Sequence, residues 1–196
     1  MPVNSNLPKI LLASQSPRRK EILSMAGFEF EVVSIQADED FPRELKAYEI
    51  CEYLSLHKSQ HYTTEIPENQ VLVTADTIVW IDDEVLNKPA NVEEAQQMLQ
   101  KLSGKSHTVY TGVTLRNAEK SYTFHDATGV EFYPLTPEEI NLYIKNCRPF
   151  DKAGSYGIQD WMGTIGVKGI QGCFYNVMGF PSAKFYRELN SFLSYL

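Results

Sequence analysis

Apolar residues concentrate most heavily between Val71 and Pro89, in VLVTADTIVWIDDEVLNKP. Val71, Leu72, Val73, Ala75, Ile78, Val79, Trp80 and Ile81 form a nearly unbroken, largely β-branched run. That pattern predicts a strand buried on both faces rather than one with alternating wet and dry sides. Thr74, Asp76 and Thr77 interrupt it. An ionised carboxylate on such a strand is costly unless a cation, a metal or several donors meet it. Two readings of Asp76 are therefore open: the acid of a functional site, or a residue that ends the strand and accepts hydrogen bonds from a turn. Asp82-Asp83 falls between two apolar runs, as a solvated hairpin turn does. Lys88-Pro89 then closes the hairpin with a cation placed to fold back towards Asp76.

The remaining pattern alternates strands and helices. Ile10–Ala13 predicts a short buried strand leading into SQSPRRK. Ser16 suits an N-cap and Pro17 the first helical position, and the helix through Ile22, Leu23, Met25 and Ala26 stops at Gly27. Phe28–Ser34 reads as a strand, followed by the acidic Ala37-Asp38-Glu39-Asp40. Ala47, Ile50, Cys51, Leu54 and Leu56 mark a helix ending near His57-Lys58; His57 reads as a surface or capping histidine and Lys58 as serving the helix dipole. Asn91–Glu94 starts a helix with a core stripe of Ala95, Met98, Leu99 and Leu102, stopped by Ser103-Gly104. His107–Arg116 and Tyr122–Tyr133 read as strands; for His107 and Thr111-Gly112 structural roles (strand packing, close backbone approach) outweigh the alternative of lining a site. Thr136-Pro137 opens a helix that buries Ile140, Tyr143 and Ile144. The glycine-dense stretch after Asp151 reads as loops or a backbone held close to another group, Cys173–Val177 as strand-like, and a last helix buries Phe185, Leu189 and Phe192. This alternation predicts an α/β or mixed α+β architecture, in one domain over residues 1–196 with no repeat and no linker.

Charge narrows the function classes. The net charge of −7 and a pI near 5.1 leave no broad basic face for a long nucleic acid, but they leave room for a nucleotide in a local basic pocket. Three scattered cysteines form neither a zinc spacing nor a disulfide framework, which suits a reducing cytosol. No apolar run reaches the roughly 20 residues of a membrane span, and Met1–Lys9 is too polar and short for a signal peptide. The expectation is a soluble, cytoplasmic protein.

Candidate chemistry gathers at the SPRRK helix start. Arg18, Arg19 and Lys20 load the first turn with cations, against the helix dipole. A phosphate chain would relieve that repulsion, and arginine has the forked donors for it; a solvated basic turn is the alternative. With further lysines and a carboxylate near a buried strand, this points to metal-assisted phosphoryl chemistry on a small phosphorylated molecule. A P-loop GxxxxGK[ST] and a dinucleotide GxGxxG are absent from the sequence, as are HExxH and GxSxG.

Five blocks, taken together and in order, resemble the Maf family, once called septum formation inhibitors and now understood as nucleoside triphosphate pyrophosphatases. They are LLASQSPRRKEIL (Leu11–Leu23), VTADTIV with NKP (Val73–Pro89), LSGKSHTVYTGV (Leu102–Val113), DKAGSYGIQ (Asp151–Gln159) and NVMGFP (Asn176–Pro181). The resemblance implies an α/β fold with a large twisted mixed sheet flanked by helices and two lobes around a central cleft. It also implies hydrolysis of a nucleoside triphosphate to the monophosphate and pyrophosphate with Mg²⁺ or Mn²⁺, as house-cleaning of the nucleotide pool with a link to cell-division arrest. Arg18, Thr77 and Gln159 match the subtype acting on dTTP and UTP; the 7-methyl-GTP subtype has an aromatic at the first position, SDQ for ADT, and a glutamate-containing block for GIQ. Asp76 matches the proton acceptor. Ser14, Arg18, Arg19, Lys58 and Lys88 match phosphate-facing positions, and Asp76 with Glu39 the metal site. Asp160, where better-known relatives carry glycine, and Cys173, where serine is usual, depart from the pattern. The implied mechanism has Asp76 or a metal-bound water attack between the α- and β-phosphates while the cations stabilise departing pyrophosphate. Partners implied are a nucleoside triphosphate, no long nucleic acid and no membrane, with a homodimer allowed. Two rival readings stand beside this one: a sister pyrophosphatase acting on 7-methyl-GTP or modified nucleotides, and a non-catalytic division regulator.

Overall fold

The computed structural model describes residues 7–194; the reading of the N-terminal stretch as no signal peptide falls largely outside them. In chain order the elements are β1 (Lys9–Leu12), α1 (Pro17–Met25), β2 (Phe30–Val32), α2 (Tyr48–Gln60), β3 (Gln70–Ile81), β4 (Glu84–Leu86), α3 (Val92–Leu102), β5 (Ser106–Arg116), β6 (Ser121–Phe132), α4 (Pro137–Cys147), a 3-10 turn (Ala153–Ser155), α5 (Trp161–Ile165), β7 (Val167–Gln171), α6 (Phe174–Met178) and α7 (Ser182–Ser194). The seven strands form one sheet in the order β2-β1-β3-β5-β6-β7, with β4 paired to β3. β1 is parallel to β2 and β3, whereas β3–β4 and β6–β7 are antiparallel, so the sheet is mixed. The fold class is mixed α/β, as the alternation of patterns predicts. No described helix is long and apolar enough to cross a membrane.

The chain divides into two compact units. One comprises Met1–Asp76, Thr111–Asp126 and Gly179–Leu196; the other Thr77–Tyr110 and Ala127–Met178. In the first, β1 lies between β2 and β3, with Leu12 opposite Val73. Ile22 and Leu23 of α1 are buried, and Phe28 meets Phe185 of α7 edge to face at 5.2 Å. α2 is fastened to the strands by close backbone approach and by hydroxyls. A Cβ at Gly112 of β5 would stand 2.2 Å from the Cys51 carbonyl oxygen, so only glycine fits there. Thr74 Oγ1 donates to the Ser55 carbonyl at 2.6 Å, and Ser55 Oγ is 3.1 Å from Thr114 Oγ1.

The second unit contains the β3–β4 hairpin, whose turn residues Asp82 and Asp83 both have positive φ (52° and 59°), as a type I′ turn requires. α3 and α4 begin as their sequences predict. Asn91 caps Glu94 N–H at 2.8 Å, and Thr136 with Glu139 forms a reciprocal capping box. β3 carries buried side chains on both faces, in keeping with its unbroken apolar run.

Four expectations are corrected. Ser16 occupies the N-cap of α1, but its hydroxyl makes no cap hydrogen bond. β2 shrinks to three residues, a sheet-edge strand with Glu31 and Val32 exposed. Cys173–Val177 is not a strand: Phe174–Met178 is helical, with Asn176 and Met178 buried and Phe174 and Tyr175 exposed. Tertiary hydrogen bonds override the β-rich composition there. Thr128 Oγ1 accepts from Cys173 N–H (3.1 Å) and from the Asn176 amide (3.0 Å), and donates to the Cys173 carbonyl (3.2 Å). The glycine-dense stretch read as loops contains α5 and β7, whose exposed residues leave little apolar pattern to read.

Candidate active site

Strand and helix periodicities explain why one lysine meets the buried acid. Thr74 and Asp76 are two apart on β3 and share a face; Ser55 and Lys58 are three apart on α2 and share a stripe. Once Thr74 is bonded to the Ser55 carbonyl, the next pair in each repeat falls together. The strand advances about 6.6 Å over two residues and the helix about 4.5 Å over three, a mismatch the long lysine stem absorbs. Lys58 Nζ lies 2.5 Å from Asp76 Oδ1. Both side chains are mostly buried, at 16% and 11% exposed, so this is a desolvated, charge-assisted pair.

The same ammonium also meets Glu39 Oε1 at 3.0 Å. One residue away, His57 Nε2 lies 3.3 Å from Asp38 Oδ1. The acidic loop is thus tied to α2 by Glu39 on Lys58, with Asp38 alongside His57, whose buried Nε2 makes no hydrogen bond. His57, read from sequence as a surface or capping residue, is half-buried beside this tie.

Arg19 holds the neighbouring backbone. Its Nη1 donates to Ser14 Oγ at 3.1 Å and to the Ala75 carbonyl at 2.9 Å, and its Nε donates to the Gly179 carbonyl at 2.9 Å. Three of its five N–H donors are thereby used on α1's own approach, on β3 beside Asp76, and on the turn before α7. Burial is the main influence lowering the guanidinium's pKa, and Arg18 adds to it, while the charges of Asp76 and Glu39 pull the other way. Cys51, on α2, has its thiol pushed up by burial first and by the Asp76 charge second, so it stays protonated.

Among the candidate residues, the first unit therefore joins Ser14 to Arg19 and Glu39 to Lys58 and Asp76, two sets that adjoin where Arg19 bonds the Ala75 carbonyl next to Asp76, with Arg18 half-buried. Thr77, Lys88 and Gln159 belong to the second unit. Thr77 is half-buried on β3, Lys88 is exposed after β4, and Gln159 is exposed in the turn before α5. Sequence patterns alone do not pair Lys58 with Asp76, because the two are joined only through the docking of α2 on β3.

The acidic pair fits a divalent cation shared with a ligand. Asp76 and Glu39 converge on a single positive group, which here is the Lys58 ammonium. Mg²⁺ is commonly held by one or two carboxylates, with waters and substrate phosphates completing its shell. Among the described residues, no group of three or more His, Cys, Asp or Glu side chains forms a full protein cage.

With this geometry in view, comparison with known proteins decides the family: the Maf-like protein family matches residues 9–192. The chain belongs to it. A Bacteroides thetaiotaomicron protein named dTTP/UTP pyrophosphatase is 49% identical over 187 residues, 94% of this chain and 97% of its own. Relatives of the same name from Phocaeicola vulgatus (49% over 92% of this chain and 94% of that one) and Parabacteroides distasonis (47%, 94% and 96%) are similar throughout. Among solved structures, the Staphylococcus aureus Ham1 protein aligns over 63% of this Maf-like chain and 71% of its own, with TM-score 0.38 and 11% identity, a likeness too slight to carry an argument.

Proposed function

We propose that this Maf-like chain hydrolyses dTTP and UTP to the nucleoside monophosphate and pyrophosphate, acting on the nucleotide pool of the cytoplasm. The observation that carries the reading is the buried Asp76 carboxylate, charge-paired with Lys58, whose ammonium also meets Glu39, beside the Ser14–Arg19 helix start. The names of its near full-length relatives support the substrate class.

In the reaction, Asp76 takes the proton of the attacking water. The water oxygen bonds to phosphorus as the bond linking the α-phosphate to the departing pyrophosphate breaks. Ser14, Arg18, Arg19, Lys58 and Lys88 bind the phosphate oxygens and stabilise the charge that grows on the leaving group. Gln159, with an amide that both donates and accepts, reads the base, and Arg18 and Thr77 contribute to specificity. Asp76 and Glu39 are the side chains that would hold Mg²⁺ or Mn²⁺; when bound, the ion neutralises phosphate oxygens. Lys58, whose ammonium bridges these two carboxylates, keeps their charges compensated between turnovers.

The test is a nucleotide panel with pyrophosphate release as readout, run with and without a divalent cation. Wild type should favour dTTP and UTP and need the cation. Asp76→Asn keeps the shape and removes the charge, and turnover should fall roughly 10²-fold or more. Near-normal dTTP hydrolysis by that variant would remove Asp76 from its assigned role. Gln159→Glu should move preference away from dTTP. Wild type releasing no pyrophosphate from any triphosphate defeats the enzymatic reading.

A further inference from the structure

Gln159 sits at the third position of a four-residue turn, Gly157–Asp160, closed by Asp160 N–H donating to the Gly157 carbonyl at 3.1 Å. A second bridge closes the same turn through a side chain of α4. Gly157 N–H donates to the Tyr143 hydroxyl at 3.1 Å, and that hydroxyl donates to Asp160 Oδ2 at 3.0 Å. The direction is fixed by valence: the phenol oxygen accepts from the amide, so its single proton goes to the carboxylate. Burial raises the Tyr143 phenol, which keeps that proton in place.

Asp160 also forgoes the ordinary role of its position. It stands at the N-cap of α5, yet its side chain makes no cap hydrogen bond. The carboxylate faces Tyr143 and Lys152 instead, with Lys152 Nζ at 3.6 Å, and only about a fifth of the side chain (22%) is exposed. Tyr143 is fully buried among the core of α4. The turn is packed on its inner side as well: a Cβ at Gly157 would come 2.6 Å from Asp160 Oδ2 and 3.0 Å from Gln159 Nε2. The exposed Gln159 therefore belongs to a turn whose two ends are tied to one buried phenol.

We infer that Asp160 is a positioning residue: through Tyr143 and Lys152 it clamps the Gly157–Asp160 turn and so sets where Gln159 presents its amide to the base. This rests on the base-reading role proposed above for Gln159. Asp160 touches no reacting group. Its loss leaves the phosphate-binding residues in place and loosens base discrimination.

The test compares kcat/KM for dTTP with that for 7-methyl-GTP and, separately, measures hydrogen exchange at the Gly157 amide, which needs no turnover. Asp160→Gly should lower the dTTP preference about tenfold, the scale of one misplaced recognition contact, and should speed Gly157 exchange. Asp160→Asn keeps an acceptor for the Tyr143 hydroxyl and should retain most of the preference. Tyr143→Phe, close in volume, should reproduce the Asp160→Gly loss, and the double variant should add little, as expected of groups acting through one chain of bonds. Wild-type selectivity in both Asp160→Gly and Tyr143→Phe overturns the inference, even with faster exchange, since the bonds would then be structural only. Unchanged Gly157 exchange overturns it as well. Wild type that hydrolyses neither nucleotide defeats the enzymatic reading, and with it the base-presenting role of Asp160.

Discussion

The two units bury polar groups in opposite ways. In the first, Asp76 and Lys58 are charged partners on adjoining elements, joined by the half-exposed Glu39. In the second, His107 Nε2 and the Tyr156 hydroxyl lie 2.7 Å apart, fully enclosed and packed edge to face with Phe132. Burial pushes the His107 imidazole down to about 4, so this pair is neutral at neutral pH. Neutral groups need only a hydrogen bond to be tolerated inside, whereas charges need a counter-charge of matching geometry. The neutral pair can stay sealed and stiffen its unit. The charged pair is not sealed in the same way, since its ammonium also meets an exposed acid.

The largest effect should come from Lys58→Met, which leaves Asp76 buried without its cation. About 4 kcal/mol of stability should be lost at neutral pH without divalent metal, read by urea unfolding. Added Mg²⁺ should raise the variant's melting temperature more than wild type's; equal shifts would mean the two carboxylates do not form a cation site.

The next effect is the pH response of His107. Its native value of about 4 lies below the ordinary 6.5, so the unfolded chain takes up this proton first as pH falls. Stability from the neutral histidine is complete above pH 6.5 and is lost as pH drops towards 4. At about 1.4 kcal/mol per pH unit this amounts to about 3 kcal/mol. His107→Gln should lose correspondingly less between pH 7 and pH 4 than wild type; parallel losses in the two proteins would refute the assignment.

The smallest effect is Tyr156→Phe. It removes one hydroxyl and leaves His107 Nε2 without its bond, at about 1.5 kcal/mol. Chemical denaturation gives the value directly, and an unchanged midpoint would mean the pair adds nothing to the unit.

Much of this arrangement was legible in the chain, and the misses have a common cause. α3 and α4 were readable because caps, stripes and stops lie within a dozen consecutive residues, as with Asn91 and Glu94 or Thr136 and Glu139. The buried β3 was readable from its unbroken apolar run. The helix at Phe174–Met178 was not, since what overrides its β-rich composition is Thr128, 45 residues away from Cys173. At the site, the residue types were legible while the partnerships were not. By its own helix Lys58 reads as a dipole partner and by resemblance as a phosphate-facing residue; only docking of α2 brings it to Asp76, 18 residues on. The Tyr143 hydroxyl stayed invisible because its ring already satisfied the apolar stripe of α4.

By itself, then, the amino-acid order determined the elements with local signals, the presence of an acid in an apolar strand, and a cationic helix start, because propensity, capping and periodicity act over a few residues. Tertiary structure alone decided which cation compensates Asp76, that Arg19 fastens backbone at Ala75 and Gly179, and that Asp160 serves a turn instead of its helix cap. Those outcomes depend on which faces of distant elements come to lie together once apolar surface is buried, and no short stretch of sequence carries that information.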